Sequence, residues 1–185
     1  MQGRYTPFEV QNIMQTMTMQ VLDTTNFGDV RIDWPTQGQP AWKVSDDVAF
    51  VRATQVDDPY DQIRDMQWQQ FDATHVANVS TYVRVWEINW CFVGPNSFDR
   101  AATLKSALFW PMWMLPLGGL APLTEYGAPI RAPELFDGQW WERVDFRAKF
   151  NELVTEAPLE QTIASVEIVV EKENGIKSDF TVEGI

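Results

Sequence analysis

The stretch TYVRVWEINWCFVGPNSFD, Thr81 to Asp99, decides the fold. Trp86, Ile88, Trp90 and Phe92 alternate with Glu87, Asn89 and Cys91, which is the period of a strand with one apolar face. Gly94-Pro95 stops it. Asn96 or Ser97 then caps a helix running to about Phe109, with Asp99 in the first turn, where the helix dipole favours a negative charge. Phe98, Ala101, Leu104 and Leu108 make its apolar stripe. A strand and a helix that each carry one apolar side must bury those sides together.

Working outward, the rest of the chain supplies similar pieces. Thr6 to Leu22 reads as a helix, with Thr6 as cap, Pro7 at the first position and Glu9 closing a capping box. Its face of Val10, Ile13, Met14, Met17 and Val21 packs on a sheet or, because methionine is adaptable, serves as contact surface. Val30 to Trp34, ended by Pro35, reads as a short strand, and Gly38 and Pro40 mark the loop after it. Asp47 to Val56 is an interior strand, apolar on both faces. Asp57 to Asn78 is polar and irregular, with a short helix expected around Asp61 to Gln70. Trp110 to Pro133 reads as one long loop. Along Trp140 to Thr155, Trp140, Val144, Phe146, Ala148, Phe150 and Val154 share one face, and Arg143, Asp145, Arg147, Lys149 and Asn151 the other. Asn174-Gly175 marks the turn of a hairpin between Ile163 to Glu171 and Ile176 to Val182. The expected fold is α+β: a mixed, mostly antiparallel β-sheet flanked by two main helices, with a C-terminal hairpin, in a single domain over residues 1–185.

A chain of 185 residues hides roughly 70% of its unfolded surface and needs no covalent staple. The formal net charge of -12 repels phosphate, so tight nucleic-acid binding is disfavoured, although an acidic wall suits a passage through which DNA slides. Cys91 stands alone, which rules out an internal disulfide and fits a reducing compartment. Met1-Gln2-Gly3-Arg4 lacks the order of a signal peptide, so a cytoplasmic site of synthesis and residence is expected. Ser106 to Thr124 is uncharged and reaches the length of a membrane span, but Pro111, Pro116, Pro122 and Gly118-Gly119 make it a poor helix.

Motifs of catalysis are thin. His75 is the sole histidine, and Cys91 has no C-x-x-C spacing, so neither metal ligation nor a Cys91–His75 nucleophile pair outweighs a half-buried cysteine in a strand. Asp57, Asp58, Asp61 and Asp65 have Pro59-Tyr60 where a calcium loop bends at glycine, and they read as a solvated loop in which Arg64 pairs with Asp61 or Asp65. Gly118-Gly119 is not followed by Gly-Lys-Ser/Thr and is no phosphate loop. No cofactor and no catalytic residue is expected.

Several segments resemble the phage neck terminator family, grouped with the tail terminators of long-tailed bacteriophages. Val85-Trp86-Glu87-Ile88-Asn89-Trp90 with Gly94-Pro95-Asn96-Ser97-Phe98-Asp99 is similar to its strand-to-helix junction. Gly138 to Phe146, continuing through Phe150-Asn151-Glu152, is similar to its late strand, and Arg52 to Arg64, with Val56-Asp57-Asp58-Pro59-Tyr60, resembles it as well. The likeness covers about residues 50 to 170 by order and spacing, and Trp110 to Leu123 departs from it in apolarity and proline content. The resemblance implies a virion protein that joins head to tail, assembled in the host cytoplasm. Its implied partners are further copies of itself in a hexameric ring, the tail tube protein and sheath, and a neck or head-completion protein. DNA is passing cargo only, and no membrane is involved. The competing reading is a small hydrolase or carbohydrate-binding module working through carboxylates and tryptophans. Trp110, Trp113, Met114, Leu117 and Leu120 are the candidate contact residues, and Trp110, Trp113 and Leu117 are expected to be covered by the same domain or by a neighbouring subunit.

Overall fold

The computed structural model describes residues 4–33, 42–72, 74–136, 138–161, 165–171 and 177–183. Helix α1 spans Pro7–Val21 and is closed at its start by the expected box: Glu9 N donates to Thr6 Oγ1, and Thr6 N donates to Glu9 Oε2 at 2.7 Å. The Thr6 N–H and hydroxyl, both donating to Glu9 Oε2, hold that carboxyl below the usual carboxylate range. Strands β1 (Val30–Ile32) and β2 (Val48–Val56) follow, then a 3-10 turn at Pro59–Gln62, β3 (Asp65–Gln70) and the 19-residue β4 (His75–Val93). Helix α2 spans Ser97–Ala107. After it come β5 (Leu120–Pro122), β6 (Ile130–Arg131), β7 (Glu134–Phe136), β8 (Gln139–Trp141), β9 (Arg143–Glu156), β10 (Leu159–Gln161), β11 (Ser165–Glu171) and β12 (Lys177–Glu183). This is the α+β arrangement expected, with a large, open, mostly antiparallel sheet and a C-terminal hairpin.

The chain divides into two compact units. In the larger, the strands lie in the order β1-β2-β4-β9-β5, with β6 also on β9. β1 runs parallel to β2, while β2 is antiparallel to β4 and β5 to β9. Both helices contribute to one core: Val10, Met14 and Met17 of α1 meet Ala49 and Val51 of β2, Trp86, Ile88, Trp90 and Phe92 of β4, and Phe146 and Phe150 of β9, all essentially without solvent contact. The methionine face of α1 is therefore core. Trp90 stacks on Phe146 with ring centroids 5.6 Å apart, and its Nε1–H donates to Thr18 Oγ1 at 2.9 Å, so the indole enters the core with its polar atom satisfied.

Charged side chains are buried as well. Glu152, 1% exposed, occupies the apolar phase of β9. Its carboxylate accepts from Tyr5 N and from Trp86 Nε1, each at 2.7 Å, and lies 3.4 Å from Arg84 Nη1. Arg84, also buried, donates to Gln55 Oε1 and to the Tyr5 carbonyl, and its guanidinium lies over the Trp86 ring. A buried charge held this way is satisfied on every side.

The smaller unit takes β3, the first part of β4, β10 and the β11–β12 hairpin. β3 and β10 both pair antiparallel with the His75–Thr81 part of β4, and Arg64 lies over the Tyr82 ring. β11 and β12 pair in register from Ser165↔Glu183 to Glu171↔Lys177.

Four expectations need correction. Asp65 to Gln70 is strand, not helix: all six residues are exposed, so no buried face imprinted a period on them, and backbone bonds to β4 fix their conformation. β4 starts at His75, six residues before the expected start at Thr81. Trp140 does not share the face of Val144; Gly138, at φ +72°, folds β8 back on β7, and Trp140 sits opposite Leu135 in solvent. Phe98 is exposed beneath the Arg131 guanidinium instead of joining the stripe of Ala101 and Leu104. Trp34, Pro35, Gly38, Pro40, Ile163, Ile176 and the Asn174-Gly175 turn lie outside the described residues.

Glu152→Ala removes the acceptor of the Trp86 Nε1 and Tyr5 N bonds and the ion-pair partner of Arg84, and should cost about 3–5 kcal/mol of stability. Glu152→Gln, which keeps one acceptor oxygen, should lose less. Urea unfolding followed by circular dichroism measures both, and equal stability of all three chains would contradict the arrangement.

Candidate functional site

The segment after α2 is not structureless. Trp110 N donates to Ala107 O, Met112–Met114 forms a 3-10 turn, and β5 and β6 place two short stretches against β9. Three side chains anchor it in the core: Leu115, Leu117 and Leu120. Three polar contacts fix its backbone. Gln20 Nε2 donates to Met114 O at 2.9 Å, Tyr5 Oη donates to Gly118 O, and Leu123 N donates to Lys149 O. Gly118, at φ +58°, adopts the left-handed backbone that favours glycine, beside the movable end of the Ile13 side chain on α1.

This anchoring presents an apolar tip. Phe109, Trp110, Met112, Trp113 and Met114 are all exposed, and Trp113 reaches 84%. Phe109 rests edge-on against Tyr126, whose hydroxyl donates to Leu108 O. Of the five candidate residues, Trp110, Trp113 and Met114 come together on the tip, while Leu117 and Leu120 lie beneath it in the core. Leu117 is covered by its own chain; Trp110 and Trp113 are not. Alternation could not separate them, because prolines and paired glycines break any period here.

Two further sets of apolar side chains are exposed outside the candidate segment. Met66 and Trp68 on β3, and Phe71 after it, are exposed, and β3 pairs with no described strand on its other edge. Leu135 and Trp140 form an exposed cross-strand pair on β7 and β8.

The groups considered for catalysis are engaged otherwise. His75 Nδ1 lies 3.0 Å from both Asp72 carboxylate oxygens, and the Thr74 N–H followed by His75 pulls the Asp72 carboxyl down to about 2. Asp58 accepts from Tyr60 N, and Asp61 from Gln55 Nε2, while Arg64 turns to Tyr82 instead of an aspartate. No group of three or more metal-ligating side chains occurs among the described residues. On the sheet face away from the helices, Arg143 grips Asp145 with two bonds of 2.9 and 3.1 Å and reaches Glu134 at 3.1 Å, which holds its guanidinium firmly protonated. Cys91 sits beside this pair, and burial pushes its thiol up to about 12. No described helix is long and apolar enough to cross a membrane.

Compared with known proteins, the chain matches the family described as phage neck terminator protein over residues 9–176. No curated protein matches it.

With a thiol this weakly acidic, Cys91 stays neutral through pH 8. Iodoacetamide at that pH should label the folded protein at least about a hundredfold more slowly than the protein in urea, because only the thiolate reacts. Intact-mass kinetics read the ratio, and rapid native labelling would contradict it.

Proposed function

Since the chain belongs to the phage neck terminator family, a family of structural neck proteins, we propose that it forms a ring, six copies in the family's manner, that caps the finished tail tube and joins it to the head connector. The observation that carries this reading is the anchored apolar tip. Five large side chains held in water by a backbone that is itself bonded to α1 and β9 are stable only because the core beneath them is, and burying each against a partner is worth about 1.5–3 kcal/mol. A loop that simply failed to pack would not place Leu115, Leu117 and Leu120 inward and Trp110, Met112 and Trp113 outward.

The proposed partners are further copies of the chain, the tail tube protein and sheath, and a neck or head-completion protein, with DNA as passing cargo. The net charge of -12 supports that last role, since an acidic wall gives phosphates no foothold. The protein would assemble in the host cytoplasm and reside in the virion neck. The single domain over residues 1–185 belongs to the same proposal, with both compact units acting in one subunit.

Trp113→Ser removes an exposed ring and should leave the urea midpoint nearly unchanged while reducing occupancy of tail-tube ends, counted by electron microscopy, by about tenfold or more. Leu117→Ala, a buried leucine 4% exposed, should instead cost about 2–5 kcal/mol of stability. Tube ends left bare by the folded wild-type protein would sink the reading, and equal losses of folding and capping for Trp113→Ser would remove the tip from it.

A further inference from the structure

We infer that β3 is a docking edge for a second copy of this chain: the Asp65–Gln70 strands of two molecules pair antiparallel about a two-fold axis at Gln67 and join their sheets. The contact is separate from the ring proposed above and stands without it. The phase of the β3–β4 ladder says which backbone groups are free. Phe71 N donates to His75 O, and Asn78 N donates to Pro158 O on the opposite side of β4. Residues along an antiparallel ladder turn their N–H and C=O alternately toward and away from the neighbouring strand. Asp65, Gln67 and Gln69 therefore bond β4 at Thr81, Val79 and Ala77, while Met66, Trp68 and Gln70 turn theirs outward. No described strand meets that edge, and the β11–β12 hairpin lies in a sheet of its own. Sheets ordinarily protect such an edge with lysine, proline or a cover. Asp65-Met66-Gln67-Trp68-Gln69-Gln70 contains no proline and no cation, and all six residues are exposed.

The order of these residues selects the occupant. Only outward-turned residues can exchange backbone bonds across the new edge. With the axis at Gln67, Met66 meets Trp68 of the second copy, and Trp68 meets its Met66. Both are pairs of outward-turned residues, so each exchanges two backbone bonds, and both set a thioether against an indole on the same face. Met66 is 64% exposed and Trp68 60%, and this contact would cover them. On the other face Gln67 meets its own copy. Asp65, the one charge on β3, falls opposite Gln69 and not opposite another acid. Chains that each carry -12 repel one another, and a strand pairing that puts no two charges in register is the least opposed. An unrelated extended segment would satisfy the backbone alone; the doubled Met66–Trp68 match comes from this strand meeting itself.

The full-length protein tests the register through cysteine cross-linking. Residues facing each other in a non-hydrogen-bonded antiparallel pair have Cα atoms about 4.5 Å apart, within disulfide reach. Mild oxidation should therefore join Gln67→Cys into a covalent dimer, read on non-reducing gels, at least about tenfold faster than Gln69→Cys, whose two copies would stand about 13 Å apart along the paired strands. Cys91, held neutral by burial, is silent in both. Light scattering over about 1–100 µM should show the wild-type chain passing from monomer to dimer. Trp68→Lys, with its fold checked by circular dichroism, should raise the dissociation constant about tenfold or more, because it sets a cation in the apolar pair. A wild-type chain that stays monomeric over that range with Gln67→Cys unlinked would overturn the contact, as would equal linking of Gln67→Cys and Gln69→Cys. Loss of tube capping by Trp68→Lys in a chain that never dimerises would overturn it too, and would assign the edge to a tail protein. Tube ends left bare by a protein that still links through Gln67→Cys would remove the ring and leave this contact standing.

Discussion

The Glu152 carboxylate is the constraint on which the larger unit depends. It draws three distant parts of the chain to one point: the residue before the first helix, the middle of β4 and the end of β9. Its bond to Tyr5 N sets where the chain enters the Thr6 capping box, and so where α1 lies. The same Tyr5 offers its hydroxyl to Gly118. A buried charge thus governs the seat of the apolar tip through a single intervening residue. Hydrophobic burial alone would tolerate a small slide of α1 along the sheet, whereas a carboxylate with two fixed donors and a paired guanidinium does not.

The chemistry of the surface follows from what that core leaves over. Aromatic and methionine side chains exceed what the interior takes up, and the surplus appears at the tip, along β3 and on the β7–β8 hairpin. Polar groups that suggest catalysis in the sequence are engaged otherwise: His75 lies against Asp72, and Cys91 is held neutral by burial. This is the distribution expected of a chain that works by touching other chains, and it suits a member of a neck family.

Much of this was legible in the sequence where one face is buried and the other wet. The capping box, the Trp86-to-Phe92 alternation and the lower part of β9 read directly, because burial writes its period into the residue types. Glu152 was hidden by its own charge: it shares the parity of Phe150 and Val154, and an acid in an apolar phase is the signal that would have exposed it. β3 was unreadable because both of its faces meet solvent, and Trp140 was misplaced because the strand breaks at Glu142, so that Trp140 belongs to the β7–β8 pair and not to β9. Asn96 stands at the start of α2 as expected, yet its side chain makes no cap and bonds Asp47 instead, a long-range choice no local motif carries. Within the candidate surface, uncharged character was visible, but which leucines point inward depends on Gln20, Tyr5 and β9.

The methionines carry a consequence for chemical ageing. Met14 and Met17 have no solvent contact, whereas Met112 and Met114 stand open beside Trp113. Peroxide converts a thioether into a polar sulfoxide and reaches the exposed sulfurs first. Oxidative damage would therefore begin at the surface proposed to meet partners while the fold beneath stays intact, so a stored preparation could pass every test of folding after it had lost its grip.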